Sequence, residues 1–253
     1  MEKIMLFCLP YAGGSAMVYN RWKDHLNNKI KVMPIELAGR GKRFCDPFYK
    51  CFDEAVVDVF NQVKMVLTDS PYAFFGHSMG SLLVYETIKK IKDAGLNLPQ
   101  HVFFSGRYPP HIIKREKILH TMSTANFIEE INRYGGMPKE IYENREMLSV
   151  FLPILRADYT ILEQYEFRDA CCQFDYDITV FTGLEDKDVT LKDLEEWKKH
   201  ALRECTVYSF KGGHFFINSE TKNLVQIVNK TLLKCYESSD ELDIERLFEI
   251  LCE

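Results

Sequence analysis

The sequence predicts an α/β protein: a mainly parallel sheet with helices on both faces and a helical lid insertion. Three observations predict it. Short apolar runs alternate with longer segments of helical period. Glycine-rich turns follow several of those runs directly. One long stretch, residues 108–165, breaks the rhythm with helical patterns alone. Strands separated by helices imply βαβ units, a parallel sheet and covered faces.

Residues 4–9, Ile-Met-Leu-Phe-Cys-Leu, read as a strand buried on both faces and ending in Pro10-Tyr11-Ala12-Gly13-Gly14-Ser15. After Met1-Glu2-Lys3 this run could imitate a signal peptide, but its roughly six apolar residues sit at or below the usual length. Residues 19–26 look helical, and residues 30–37 form a second strand that runs into Ala38-Gly39-Arg40-Gly41-Lys42-Arg43. Residues 52–67 place apolar side chains at helical intervals. Residues 72–75 are the third strand, followed by Gly76-His77-Ser78-Met79-Gly80 and a helix over 81–91. Further strands are expected at 101–105, 178–181 and 206–210. Within 108–165, helical patterns cover 127–134, 140–151 and 154–165, broken at Gly135-Gly136-Met137-Pro138 and at Pro153. The expected organisation is a core of 1–107 and 166–236, a lid of 108–165, and an acidic helix or tail at 237–253.

Composition narrows the function. With 32 Lys+Arg against 37 Asp+Glu the net charge is −5, and 46% of residues are hydrophobic, which excludes a disordered chain. No general basic face is available for nucleic acid. No stretch approaches the ~20 apolar residues of a membrane span. The eight cysteines contain no Cys-x-x-Cys, so they read as reduced thiols of a cytoplasmic protein rather than metal ligands. No cofactor or metal is expected, and the chain is expected to be monomeric.

Gly76-His77-Ser78-Met79-Gly80 matches Gly-x-Ser-x-Gly between an apolar strand and an apolar helix. In that setting the serine occupies a sharp strained turn, and the flanking glycines leave room for neighbouring backbone. Ser78 is therefore the candidate nucleophile. It needs a base. Of seven histidines, His214 follows the last strand in a glycine-loosened loop, Lys211-Gly212-Gly213-His214, where a parallel sheet presents its functional groups. Such turns order their triads as serine, acid, histidine, and the loop after residues 178–181 offers Glu185, Asp186 and Asp188. An oxyanion hole requires two backbone donors. One is the Met79 N–H; the other is expected from the 10–14 loop, at Ala12 or alternatively Tyr11.

Leu9-Pro10-Tyr11-Ala12-Gly13-Gly14-Ser15, the 76–80 motif, Gly135-Gly136-Met137-Pro138 and Gly212-Gly213-His214-Phe215 together resemble the type II thioesterases. These are stand-alone α/β-hydrolases accompanying nonribosomal peptide and polyketide synthases. The loop 37–43 and the segment 151–159 also resemble the family's, although Ala38 stands where proline is common. The resemblance covers nearly the whole chain up to about Tyr236. It implies that Asp186, fourth in the Gly183-x-x-Asp turn, is the acid. It implies a serine thioesterase that removes acyl groups, including mis-primed ones, from the phosphopantetheine arm of carrier proteins. Tyr11, Phe127, Ile131, Met137 and Leu155 are then candidates for substrate binding. Lys42-Arg43 and Lys114-Arg115-Lys117 are candidates for meeting an acidic carrier protein. The competing expectation is a general serine esterase or lipase acting on small-molecule esters.

Overall fold

The computed structural model describes residues 3–67, 70–114, 117–137, 139–168 and 173–235. Its strands are β1 (Ile4–Leu9), β2 (Ile30–Pro34), β3 (Tyr72–His77), β4 (His101–Ser105), β5 (Ile178–Gly183) and β6 (Cys205–Phe210). They pair in the order β2-β1-β3-β4-β5-β6, and every neighbouring pair is parallel. Parallel pairing puts all the carboxyl ends on one rim, so the loops after β1, β3, β4, β5 and β6 can meet there.

β1, β3, β4 and β5 are buried at every position, as continuous apolar runs covered on both faces require. Alternate side chains feed two layers. Phe7, Leu9, Phe74, Val102 and Phe104 face helices α1 (Phe52–Lys64) and α2 (Met79–Asp93). Leu6, Cys8, Phe75, Phe103 and Phe181 face Leu224, Val225, Val228 and Leu232, which belong to a helix over 221–235.

The helix expected at 19–26 is a 3-10 helix spanning Ala16–Asp24. Its buried side chains, Tyr19 and Trp22, stand three apart, and three residues per turn stacks such a pair on one side. Ser15 caps it by accepting the Met17 N–H at 3.3 Å.

Between β4 and β5 lie α3 (Thr124–Arg133), α4 (Lys139–Glu143) and α5 (Arg145–Glu163). The break expected at Pro153 does not occur; α5 runs through it. A proline inside a helix removes one hydrogen bond and crowds the preceding turn. Here Leu148, Phe151 and Leu152 before it and Leu155 and Tyr159 after it pack into one cluster with Phe127 and Ile131. That continuous apolar face outweighs the local defect. β5 is followed by α6 (Leu191–Glu195), and β6 by α7 (Phe216–Ser219). The acidic segment 237–253 and Arg115 lie outside the described residues.

Candidate active site

β3 runs into Ser78, whose backbone has φ 54° and ψ −116°. Among the described residues it alone has positive φ without being glycine. Holding a serine there costs roughly 1–3 kcal/mol, and such strain persists only when the surroundings over-determine it. They do. A Cβ on Gly76 would strike the backbone of Gly80, and one on Gly80 would strike the backbone of Leu9 and Pro10. The Ser78 N–H donates to Ser105 O at 2.7 Å. Ser81 Oγ donates to Gly76 O at 2.7 Å and lies 3.0 Å from Ser105 O. The turn is thus bonded to the end of β4.

The candidate acid and base are brought together on the same rim. His214 Nδ1 lies 2.8 Å from Asp186 Oδ2, and that carboxylate side chain is 1% exposed. The two loops are knitted by backbone: Leu184 N donates to Phe210 O at 2.8 Å and Glu185 N to Gly212 O at 2.9 Å. Gly183 lacks a Cβ where one would strike the Gly212 and Gly213 carbonyls. Asp186 Oδ1 also accepts the Asp188 N–H at 3.0 Å. Asp188 lies on the cavity wall instead, and burial raises its carboxyl above the usual range.

A histidine inside the elbow is expected to turn away from the Ser78 hydroxyl; His77 bonds instead to the ends of two other segments and ties the loops together, a role that expectation did not include. Its Nε2 is 3.0 Å from the His214 carbonyl and its Nδ1 is 2.8 Å from Ser105 Oγ. A carbonyl only accepts, so Nε2 carries the proton and Nδ1 accepts from the Ser105 hydroxyl. Burial pushes this imidazole well below its ordinary pKa, and the nearby His214 adds to that. A neutral ring is the form this pattern requires. The missed signal was the histidine inside the motif, followed at the next strand's end by a serine.

Ser78 and His214 line the same cavity of about 1180 Å³, together with Tyr11, Ala12, Ile131 and Leu155. Among the described residues no hydrogen bond joins the Ser78 hydroxyl to the His214 ring; such contacts are often long in ligand-free enzymes and tighten with substrate. Tyr11 packs edge-on against His77 and Phe215, with centroids 5.8 and 4.9 Å away. Phe127 and Met137 do not line the cavity. They belong to the core of the helical insertion, where Phe127 sits under the Arg156 guanidinium at 4.4 Å and against the edge of Tyr159. The Tyr11, Ala12 and Met79 N–H groups make no hydrogen bond among the described residues.

The basic residues expected to face a carrier are mostly satisfied within the chain. Arg43 binds Asp58 and Asp46, Lys114 binds Asp193, and Lys117 binds Glu130. Lys42 is exposed.

A parallel sheet bearing a strained serine after β3, an acid after β5 and a histidine after β6 is an α/β-hydrolase fold. The family model described as the thioesterase domain matches residues 5–232, and the chain belongs to that family. It is similar to the linear gramicidin dehydrogenase LgrE of Brevibacillus parabrevis, 35% identical over 91% of this chain and 88% of that one. Among solved structures it resembles ClbQ from the colibactin NRPS/PKS pathway at TM-score 0.90, with 36% identity over 94% of this chain and 100% of the other. It also resembles RedJ, a thioesterase from the prodiginine biosynthetic pathway of Streptomyces coelicolor. There the TM-score is 0.83 and the identity 29%, over 90% of this chain and 85% of the other.

Proposed function

We propose that this protein is a type II thioesterase that hydrolyses acyl groups from phosphopantetheine thioesters on carrier proteins of nonribosomal peptide or polyketide synthesis. The observation that carries the reading is the His214–Asp186 contact at 2.8 Å, whose histidine lines the same cavity as Ser78. The dehydrogenase in the name of LgrE concerns that protein; the groups gathered here are those of nucleophilic acyl transfer.

In this mechanism the Ser78 hydroxyl attacks the thioester carbonyl while His214 Nε2 takes its proton. Asp186 holds Nδ1–H, fixing the tautomer and stabilising the imidazolium. The carbonyl oxygen becomes an oxyanion held by the Met79 N–H, at the start of α2 where negative charge is favoured, and by the Ala12 N–H from the loop after β1. Collapse breaks the C–S bond, and the proton held by His214 passes to the departing thiolate, which leaves the imidazole neutral for the second step. The thiol has a pKa near about 8.5, so its departure needs little acid assistance. Water, deprotonated by His214, then attacks acyl-Ser78, and the proton returns to the Ser78 oxygen as the acid leaves. The 108–165 insertion serves as a lid over the acyl cavity. The free thiols at Cys8, Cys45, Cys51 and Cys205 suit the reducing cytoplasm in which we place this protein, there as a monomer. No helix among the described residues is long and apolar enough to cross a membrane.

Mass spectrometry of several acyl-loaded carrier proteins, before and after incubation, tests the proposal. Loss of the acyl mass with wild type and its retention with Ser78→Ala is expected. A preference for matched oxygen esters with no carrier dependence would instead identify a general serine esterase.

A further inference from the structure

Arg40, in the loop after β2, and Asp158, on α5, form an ion pair whose side chains are 3% and 2% exposed. Nη1 donates to Oδ2 and Nη2 to Oδ1, both at 2.6 Å. The pair does not close on itself. The same Oδ2 accepts the Gly13 N–H at 2.7 Å, and Arg40 Nη1 donates to Gly14 O at 3.1 Å. Arg40 Nε is 3.3 Å from Ala38 O. Two charged groups from distant segments therefore grip the loop that carries the candidate oxyanion donor.

The grip fixes a direction. Gly14 N–H, one residue after the gripped amide, donates to Tyr11 O at 2.9 Å. Tyr11 C=O and Ala12 N–H belong to one trans peptide, so holding the carbonyl toward Gly14 turns the N–H the opposite way. Gly13 has φ 76°, and a Cβ there would stand 2.7 Å from Leu155 Cδ1 of α5. The loop thus bears on α5 by packing as well as by charge. A buried ion pair is weak evidence for stability, since apolar replacements of similar volume are often neutral or stabilising. What an apolar pair cannot do is accept Gly13 N–H and hold Gly14 O.

We propose that Arg40 and Asp158 are positioning residues that aim the Ala12 N–H at the developing oxyanion, with α5 as their anchor. The donor is then aimed only while α5 is seated on the sheet, which makes the reaction conditional on the insertion's position. This deepens, and rests on, the serine thioesterase reading.

The test compares wild type with Asp158→Asn and with the double variant Arg40→Met/Asp158→Leu, which removes both charges. Three quantities are read: kcat and KM on an acetyl thioester of N-acetylcysteamine, inhibition by an alkyl boronic acid that forms a tetrahedral anion on Ser78, and thermal melting. In the folded double variant kcat should fall roughly 10- to 100-fold with KM within about threefold, and boronate affinity should fall by the same factor. Asp158→Asn keeps an oxygen for Gly13 N–H and should lose less; it carries the comparison if the double variant does not fold. Wild-type kcat and boronate affinity per active site in the variants, with only melting changed, would overturn the positioning role alone. A wild type that neither cleaves the thioester nor binds the boronate would overturn the serine mechanism and this inference with it.

Discussion

Asp186 and Asp188 stand two residues apart after β5, yet only Asp186 reaches the His214 ring. Asp186→Asn would present an amide to Nδ1 and favour the wrong imidazole tautomer, so kcat should fall on the order of 10⁴. Asp188→Asn should stay within about threefold, because Asp188 lines the cavity and makes no hydrogen bond to the His214 ring among the described residues. Steady-state kinetics on one thioester checks both, and the reverse ranking would move the acid to Asp188. Residue types and loop positions alone left Glu185, Asp186 and Asp188 level; only the family resemblance singled one out, because a turn's side-chain directions are not written in its composition. His101 shows a different limit. It opens β4 on the sequence, but burial then pushes its pKa from 6.5 down to about 4, with Thr179 Oγ1 at 2.8 Å from Nε2. Above pH 6.5 the ring is neutral whether folded or not. Between 6.5 and 4 the unfolded chain binds a proton that the folded one refuses, so stability falls as pH falls through that window. The shift corresponds to about 3 kcal/mol. Urea unfolding at pH 7 and pH 5 should show a shallower loss in His101→Gln than in wild type.

At the scale of elements, the strand–turn–helix around Ser78 was legible because its cause is local: two glycines, an apolar strand before and an apolar helix after. Gly80 also makes a long-range contact that the motif does not reveal, since its missing Cβ lets the Leu9–Pro10 backbone approach. The same close approach brings the proposed oxyanion loop beside the start of α2. Gly80→Ala should therefore lose more than about 100-fold in labelling rate by a serine-directed fluorophosphonate, as the donors and hydroxyl are forced apart. Gly95→Ala is the control, because nothing lies within 4 Å of its Cβ position although φ is 65°. Equal labelling of the two variants would remove the steric account of the turn. α5 marks where local reading fails. Proline chemistry at Pro153 predicts a break, but the cluster that keeps the helix whole draws on α3 and residues far from it in sequence.

At the scale of the molecule, three apolar clusters divide the work: one on each face of the sheet and a third inside the 108–165 insertion. Ala12 packs partly against both the first sheet cluster and the insertion cluster, so the loop proposed to hold the oxyanion lies at their junction. The alternation of strands and helices made the sheet clusters readable. The cavity was not readable, because it is the space left between the insertion and the rim. Apolar spacing on α3 marks Phe127 and Ile131 alike, but only Ile131 reaches that space. At about 1180 Å³ the cavity exceeds the roughly 300–1,000 Å³ of ordinary small-ligand sites, enough for an acyl chain together with part of a pantetheine arm. If that space holds the acyl chain, filling it from Ile131 should penalise long chains selectively. Ile131→Trp should lower kcat/KM for a decanoyl thioester at least roughly tenfold while leaving the acetyl thioester within about threefold. Melting curves taken alongside exclude a general loss of fold. An equal fall for both substrates would place the acyl chain elsewhere and leave the insertion without its role as the wall of the acyl pocket.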